Sequence, residues 1–352
     1  MRCQVFAPSD DLSPVAEAIG VLGQPSPLIA ASTHMHRALL SSGHLLFPDI
    51  RWLLVRDSQG PMAVIPVRCR VERDGPLAVM SLASLDRFEM LYADALVREN
   101  VEPEGVAPLL LKAAVANGRR ADVVRLRSLP ESSALRRMAK ALRGQMTRVE
   151  GTSVIDVALG GDHWLTNCGR NLRGQVRQSE NRLRQRGAIT LRSPQSPAEF
   201  GAALERFIAL EVAGYKAVRN ALANEPGDRA VLVALVRGHA ERGTAHLLEL
   251  YVDETLVASQ FGVVCEGRLY LIKIAFNEAF ADASPGTFLM ASLLKQAGAA
   301  GGFSAVDCCV RQPWHARWHP DIEMQEHATI PNKGTPRGLV LHAARRVRAA
   351  FQ

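Results

Sequence analysis

Residues 268–297 read RLYLIKIAFNEAFADASPGTFLMASLLKQA, and this stretch decides the fold of the second half of the chain. Its apolar start, rich in β-branched and aromatic residues, predicts a strand that ends near Phe276. After a short loop, Ser284 and Pro285 stand where the N-cap and the first position of a helix are expected, and an apolar helix follows. The stretch therefore predicts a strand, a turn and a buried helix.

The surrounding sequence places this unit in a mixed sheet. Two strand-like runs, 245–253 and 256–266, precede it across short turns and predict an antiparallel meander. Helices are expected over 162–186 and 198–215, and the run FSAVDCCV predicts a buried strand after the 285–297 helix. The first half repeats this alternation, beginning with a hairpin in 51–71. The fold class is therefore α/β (α+β), with two lobes that each hold a mainly antiparallel sheet flanked by helices.

Length and composition agree with two lobes. A chain of 352 residues exceeds the usual size of one hydrophobic core, so we expect domains at 1–150 and 151–335, followed by a basic helix at 336–352. The net charge of +7 favours anionic partners, and the six cysteines show no spacing typical of disulfide frameworks or zinc sites. No apolar run reaches the ~20 residues that span a bilayer, and no secretory signal begins the sequence. We expect a cytoplasmic protein without a membrane span.

The start of the 285–297 helix is a candidate anion site. Free N–H groups in a first helical turn, together with the helix dipole, favour a pyrophosphate, and Gly286 lets a ligand approach closely. A well-capped core helix that binds nothing is the alternative.

Several of these residues carry a resemblance to a known family. They are Gly214, Tyr215 and Lys216, then Ala258 and Gln260, then Lys273, Ile274, Ala275 and Phe276 before the Ser284-Pro285-Gly286 turn, and finally Asp307. Over roughly 162–318 the chain resembles the GNAT-superfamily acyltransferases associated with cellulose and exopolysaccharide biosynthesis, which are similar to Fem-type peptidyltransferases. Tyr215, Asn277 and the absence of a lysine after the last strand depart from the family pattern.

The resemblance implies two tandem GNAT-like lobes, the first one degenerate, with acyl-CoA or acetyl-CoA as co-substrate and no metal. The implied cofactor-binding residues are Ile274, Ala275, Phe276, Ser284, Pro285, Gly286, Thr287 and Phe288. Tyr215 and Gln260 are the implied substrate-binding residues.

Four ionisable residues are candidates for the chemistry. Acyl transfer needs a base for the nucleophile and an acid for the leaving thiolate. Lys273 is placed to neutralise anionic charge, and the alternative is a lysine at a sheet edge. Asp307 interrupts an apolar run, so it is either a base or one half of a salt bridge. Glu211 and Lys216 form a further pair with a capping role as the alternative.

Two basic segments are candidate binding surfaces. Arg173, Arg177 and Arg184 lie on an amphipathic helix that can contact RNA or CoA phosphates, or simply face solvent. Arg345, Arg346 and Arg348 lie on a C-terminal amphipathic helix with lipid, RNA or solvent as alternatives. His315 and His319 lie four residues apart, but Pro320 follows and the zinc-protease glutamate is missing, so no metal site is expected.

Three functions remain open from sequence. The first is an acyl-CoA-dependent N- or O-acyltransferase acting on an amine or sugar acceptor, linked to polysaccharide or cell-envelope biosynthesis. The second is a Fem-type transferase that takes its acyl group from aminoacyl-tRNA. The third is a catalytically silent binding protein.

Overall fold

The computed structural model describes residues 1–23, 26, 28–85, 94–116, 118–214, 224, 226–297 and 302–350. It divides into two compact units, Met1–Gly151 with Met324–Gln352, and Thr152–Glu323.

The helices and strands follow the chain in two groups. Up to residue 156 they are β1 (Arg2–Phe6), α1 (Ser13–Leu22), α2 (Thr33–Leu46), β2 (Ile50–Asp57), β3 (Gly60–Asp74), β4 (Leu77–Ala83), β5 (Leu96–Val97), α3 (Pro103–Lys112), β6 (Ala114–Ala116), β7 (Arg119–Arg120), β8 (Val123–Leu129), α4 (Ala134–Ala141) and β9 (Gln145–Asp156). After residue 156 they are α5 (Gly161–Asn167), α6 (Arg170–Arg184), β10 (Ile189–Arg192), α7 (Pro197–Ala213), α8 (Pro226–Ala240), β11 (Ala245–Val252), β12 (Thr255–Cys265), β13 (Arg268–Phe276), α9 (Pro285–Lys295), β14 (Ala305–Asp307), β15 (Asp321–Pro331) and α10 (Pro336–Ala350).

The sheet of the first unit has the strand order β1-β2-β3-β4-β8-β15, in which β4 and β8 are parallel and the other neighbours antiparallel. The last strand comes from the end of the chain, because β15 pairs with β8 from Glu326↔Leu129 to Pro331↔Val123. Leu341 of α10 then packs against Val79 and Val123. These contacts place 324–352 with the first unit, whereas the sequence assigned 324–335 to the second domain and 336–352 to a separate helix.

The sheet of the second unit has the order β9-β14-β13-β12-β11-β10, and here β13 and β14 are the parallel pair. Over the described residues, the strand order of each unit therefore runs through four antiparallel strands, one parallel step and a final antiparallel strand, and in the first unit β5 also pairs with β3. In the second unit α5, α6 and α9 cover one face of the sheet around a core that contains Leu183, Leu269 and Leu289. Helices α7 and α8 cover the other face, where Phe207 meets Phe261 edge to face. The predicted fold class is confirmed.

The predicted continuous helix over 162–186 is wrong at one point. The chain forms α5 and α6 with a break at Cys168 and Gly169, whose ψ angles of 149° and 146° are extended. Glycine costs about 1 kcal/mol in a helix interior, and the side chain of Cys168 is buried, so tertiary packing favours a break here.

A bulge in the middle of β13 determines which way the following side chains point. Phe261 pairs with Lys273 while Gly262 pairs with Leu271, so Ile272 is an extra residue in β13. Successive side chains in a strand alternate between faces, and one extra residue reverses the alternation. Leu271 consequently faces the α6 and α9 core, and Lys273 lies on the opposite face.

Gly262 is required by this bulge, since a Cβ there would lie 2.2 Å from the carbonyl oxygen of Tyr270. We expect Gly262→Ala to lower the free energy of unfolding by about 1–3 kcal/mol, the usual cost of overpacking. Gly201→Ala in α7 is the matched control, because nothing lies within 4 Å of the added Cβ. Urea denaturation of both variants tests this, and equal stabilities would contradict the assigned role of Gly262.

Candidate active site

Strands β13 and β14 pair over only part of their length. Their register runs Arg268↔Ala305, Leu269↔Val306 and Tyr270↔Asp307, after which β14 ends. Strand β13 continues to Phe276 while still paired with β12 on its other side. In the part of the chain that the structure describes, no strand pairs with 271–276 on the β14 side. The second half of β13 therefore borders an opening in the sheet.

Glu211 and Lys273 form a buried ion pair on the α7 side of the sheet. Lys273 Nζ lies 2.7 Å from Glu211 Oε1, and the side chains are 13% and 0% exposed. Glu211 comes from the last turn of α7, where the helix dipole disfavours a carboxylate, and burial of a lone charge costs free energy as well. The Lys273 ammonium compensates both effects. The pair thus brings a positive and a negative group to the strand that borders the opening.

Asp307 ends β14 and is almost fully buried. Its Oδ1 accepts a hydrogen bond from the backbone N–H of Cys309 at 2.7 Å, and its Oδ2 lies 3.4 Å from Arg268 Nη1. Arg268 also donates to the Glu323 carboxylate through its two terminal nitrogens, from Nη1 at 2.9 Å and from Nη2 at 2.5 Å. Burial raises the pKa of Asp307 to about 6, against the opposing effects of the Cys309 hydrogen bond and the Arg268 charge. This carboxyl can therefore exchange a proton near neutral pH.

The start of α9 leaves room for an anion. Ser284 is the N-cap residue, but its backbone is left-handed (φ 52°, ψ 53°) and its side chain caps no N–H group. A Cβ at Gly286 would meet only Ile274 Cδ1, at 3.6 Å, so packing does not require glycine there. Arg317 Nη1 donates to Thr287 Oγ1 at 3.4 Å, which adds a positive charge to the positive end of the helix dipole.

Helix α6 holds the turn that leads into α9. Ser179 Oγ donates to the carbonyl oxygen of Ala283 at 2.7 Å and also lies 3.0 Å from that of Ser284. Arg182 Nη1 donates to the carbonyl of Asp282 at 2.7 Å. Arg186 binds the Asp282 carboxylate at 2.7 Å. These contacts fix the geometry of the α9 start. Sequence reasoning missed these contacts. The available signal was the position of Ser179 on the apolar stripe of α6, because a buried hydroxyl needs a hydrogen-bond partner.

Residues 170–315 match the family model described as the Acetyltransferase (GNAT) domain. This part of the second unit is therefore similar to a GNAT acetyltransferase domain, and we call it the GNAT domain. Its β13, α9 and β14 contain the open parallel step and the helix start described above.

Solved structures agree on the fold of the whole chain. The crystal structure of FemX is 12% identical with a TM-score of 0.57, and the match covers 95% of this chain and 98% of that one. The C-terminal domain of a putative lysylphosphatidylglycerol synthetase from Agrobacterium fabrum is 13% identical with a TM-score of 0.54, covering 95% and 97%. L-PGS from Bacillus licheniformis is 14% identical with a TM-score of 0.50, covering 94% and 95%. At such identities these matches show a shared fold alone. No curated protein sequence matches the chain.

The GNAT domain gives the predicted catalytic residues different partners from those expected. The sequence paired Glu211 with Lys216 and gave Lys273 and Asp307 as two further candidates. In the structure, the bulge turns Lys273 toward α7 and Glu211, while Asp307 meets Arg268. Lys216 and Tyr215 lie outside the described residues.

The predicted cofactor and substrate residues divide by exposure. Ser284 is exposed, and Gly286, Thr287, Ile274 and Phe276 are half-buried around the opening. The buried members of the predicted set are Ala275, Pro285, Phe288 and Gln260. Gln260 is 0% exposed, lies beneath α9 and donates from Nε2 to the carbonyl of Leu289 at 3.5 Å. The buried position of Gln260 beneath α9 is explained by packing. A direct substrate contact by Gln260 stays a prediction.

The second unit also contains a cavity of about 280 Å³ whose lining includes Asp156, Trp164, Cys168 and His319, all outside residues 170–315. The side chains of His315 and His319 do not form a pair. His315 is buried, and its Nδ1 accepts a hydrogen bond from the backbone N–H of Gln312. Over the described residues, no group of three or more histidine, cysteine, aspartate or glutamate side chains is arranged to hold a metal ion.

The three arginines predicted to contact RNA are exposed on α6. Arg173 donates to the carbonyl of Thr166, and Arg184 pairs with Glu180 at 2.9 Å. Their positions leave the RNA, CoA and solvent alternatives open. Within the described ranges, no helix has the length and apolar character needed to cross a membrane.

We expect the Glu211 and Lys273 ion pair to behave as one unit. Lys273→Met removes the ammonium that neutralises the buried Glu211 carboxylate and should lower the free energy of unfolding by about 3–5 kcal/mol. Adding Glu211→Gln should restore much of that loss, because the buried negative charge is then removed as well. The control cycle uses Glu180→Gln and Arg184→Gln, whose exposed pair should couple by only about 0.3–0.5 kcal/mol. Additive effects at Glu211 and Lys273 in urea denaturation would show that the pair is not coupled.

Proposed function

We propose that the GNAT domain transfers an acyl group from acyl-CoA to an amine or a sugar hydroxyl. The observation that carries this proposal is the end of β13 and β14 pairing beside the uncapped start of α9. An acyl thioester can lie along the open edge of β13 while its pyrophosphate meets the first turn of α9. The fold match and the family model support acyl transfer, and the donor and acceptor are our inference.

The residues around the α9 start fit an anionic donor. Free backbone N–H groups and the helix dipole stabilise phosphate at a helix N-terminus. At α9 the N–H of Thr287 donates to the carbonyl of Ser284 at 2.9 Å, and the Ser284 side chain caps no N–H group. A Cβ at Gly286 would meet only Ile274 Cδ1 within 4 Å, so its missing side chain leaves space for a close-lying ligand. Arg317 adds a guanidinium, which pairs well with phosphate oxygens. Helix α6 keeps this surface in a fixed position through Ser179 and Arg182.

The reaction requires one bond to form and one to break. The acceptor nitrogen or oxygen attacks the thioester carbonyl carbon, loses its proton to a base, and the C–S bond breaks to release a thiolate that takes up a proton. We assign proton acceptance to ionised Asp307, whose pKa near 6 suits this role. Lys273 stabilises anionic charge on donor or acceptor, and Glu211 positions Lys273. Lys216 and Tyr215 stay predictions for acceptor contact.

The acceptor class is inferred from the sequence resemblance and from the charges beside the opening. A link to exopolysaccharide or cell-envelope biosynthesis is supported only by the family resemblance of the sequence. An amine or sugar hydroxyl is the acceptor that GNAT-type acyl transfer and the paired charges of Lys273 and Glu211 favour.

A Fem-type reaction with aminoacyl-tRNA is the second candidate. The observation in its favour is the row of exposed arginines on α6, the same helix that holds the turn before α9. Phosphates of a bound RNA on Arg173, Arg177 and Arg184 would bring its acylated end toward the opening. A catalytically silent binding protein is the third candidate.

We expect Gly286→Asp to weaken CoA binding at least roughly tenfold, because a carboxylate would occupy the pyrophosphate position and repel it. Gly201→Asp on α7 is the matched control, since a Cβ added there meets nothing within 4 Å. Isothermal titration calorimetry with acetyl-CoA measures both variants. Equal affinities in wild type and Gly286→Asp would refute the donor placement, and no binding in the wild type would favour the silent protein.

The tRNA candidate is tested with the same preparations. A triple change of Arg173, Arg177 and Arg184 to Gln should reduce RNA affinity and its salt dependence while acetyl-CoA affinity is retained. If the wild-type protein shows no salt-sensitive binding to tRNA, this candidate is removed.

A further inference from the structure

Helix α10 is fixed to the first unit by one face. A Cβ at Gly338 would lie 2.0 Å from the carbonyl oxygen of Asn332, so the helix approaches the preceding backbone too closely for any side chain there. Leu341 is 3% exposed and packs against Val79 and Val123. These contacts define the inner face of α10 and hold the helix against the sheet.

The outer face of α10 is also apolar. Leu339 and Val340 are each 52% exposed and Val347 is 56% exposed. With about 100° between successive residues, these three side chains and the exposed Ala343 lie on the half of the helix that points away from Leu341. A helix at a protein surface normally carries polar residues on that half. The outer face of α10 therefore has the composition of a contact surface.

Positive charges border this apolar stripe on both sides. Arg337 lies beside Val340, and Arg346 lies beside Leu339 around the helix circumference; both arginines are exposed. Lys333 is exposed immediately before the helix. The sequence contains no aspartate or glutamate from residue 327 to residue 352. The partner of this face should therefore combine an apolar layer with negative charge.

We propose that the outer face of α10 lies on an anionic lipid bilayer surface. Leu339, Val340 and Val347 enter the boundary between headgroups and acyl chains, while Arg337 and Arg346 meet lipid phosphates. RNA satisfies only the arginines and leaves the apolar stripe in water. A second copy of the chain would gain much less than the ~800 Å² per partner typical of a stable interface from three exposed side chains. The proposal is independent of the acyl-transfer reaction.

Vesicle flotation tests this proposal directly. The wild-type protein should float with phosphatidylcholine vesicles that contain phosphatidylglycerol, should float less with pure phosphatidylcholine, and should be released as the salt concentration rises. The triple variant Leu339→Gln, Val340→Gln, Val347→Gln should bind the anionic vesicles roughly tenfold more weakly. The double variant Arg337→Gln, Arg346→Gln should lose the preference for anionic vesicles.

The matched control changes Arg37 and Leu45 to Gln, since both are exposed on α2 of the same unit. This variant should bind as the wild type does. Failure of the wild type to bind anionic vesicles, or equal binding by the triple variant and the control, overturns the proposal. Sedimentation equilibrium provides a second measurement: a wild-type dimer that the triple variant dissociates would assign the stripe to a second copy and also overturn it.

Discussion

The parallel pairing of β13 with β14 stops after Tyr270↔Asp307, and the proposed active site depends on that early end. A parallel pair that continued to Phe276 would satisfy the edge of β13 with backbone hydrogen bonds and leave no place for a thioester. Asp307 contributes to the end of the pairing, because its carboxylate accepts the N–H of Cys309 and so stabilises the turn out of the sheet. The left-handed backbone of Cys309, with φ 61°, marks the same turn.

Charges near this opening are held in pairs by burial. Lys273 and Glu211 are bound to each other on the α7 side, and Asp307 lies within reach of Arg268. In a low-dielectric interior an unpaired charge is expensive, so each partner constrains the position of the other. Such fixed charges suit a reaction in which an oxyanion and a proton must be handled at defined positions. The same pairing also explains why single substitutions there are expected to change stability as well as turnover.

Local sequence signals predicted the elements of the second unit, and long-range contacts determined the site. The β11 to β13 meander and α9 follow from apolar runs, short turns and the Ser284-Pro285 helix start. The side of the sheet on which Lys273 lies does not follow from these signals, because it depends on an extra residue at Ile272 that only the pairing with Gly262 reveals. The available signal was the glycine inside a strand-like run, which often marks a bulge. The placement of 324–352 was equally hidden, since Glu326 pairs with Leu129 far back in the chain.

Amide hydrogen exchange with and without saturating acetyl-CoA reports where the donor lies without assuming an acceptor. We predict slower exchange in 271–276 and in the first turn of α9, with exchange around the cavity that includes Trp164 and Cys168 unchanged. Slower exchange around that cavity, with 271–276 and the α9 start unaffected, would place the donor away from the β13 and β14 opening and refute the proposed donor site.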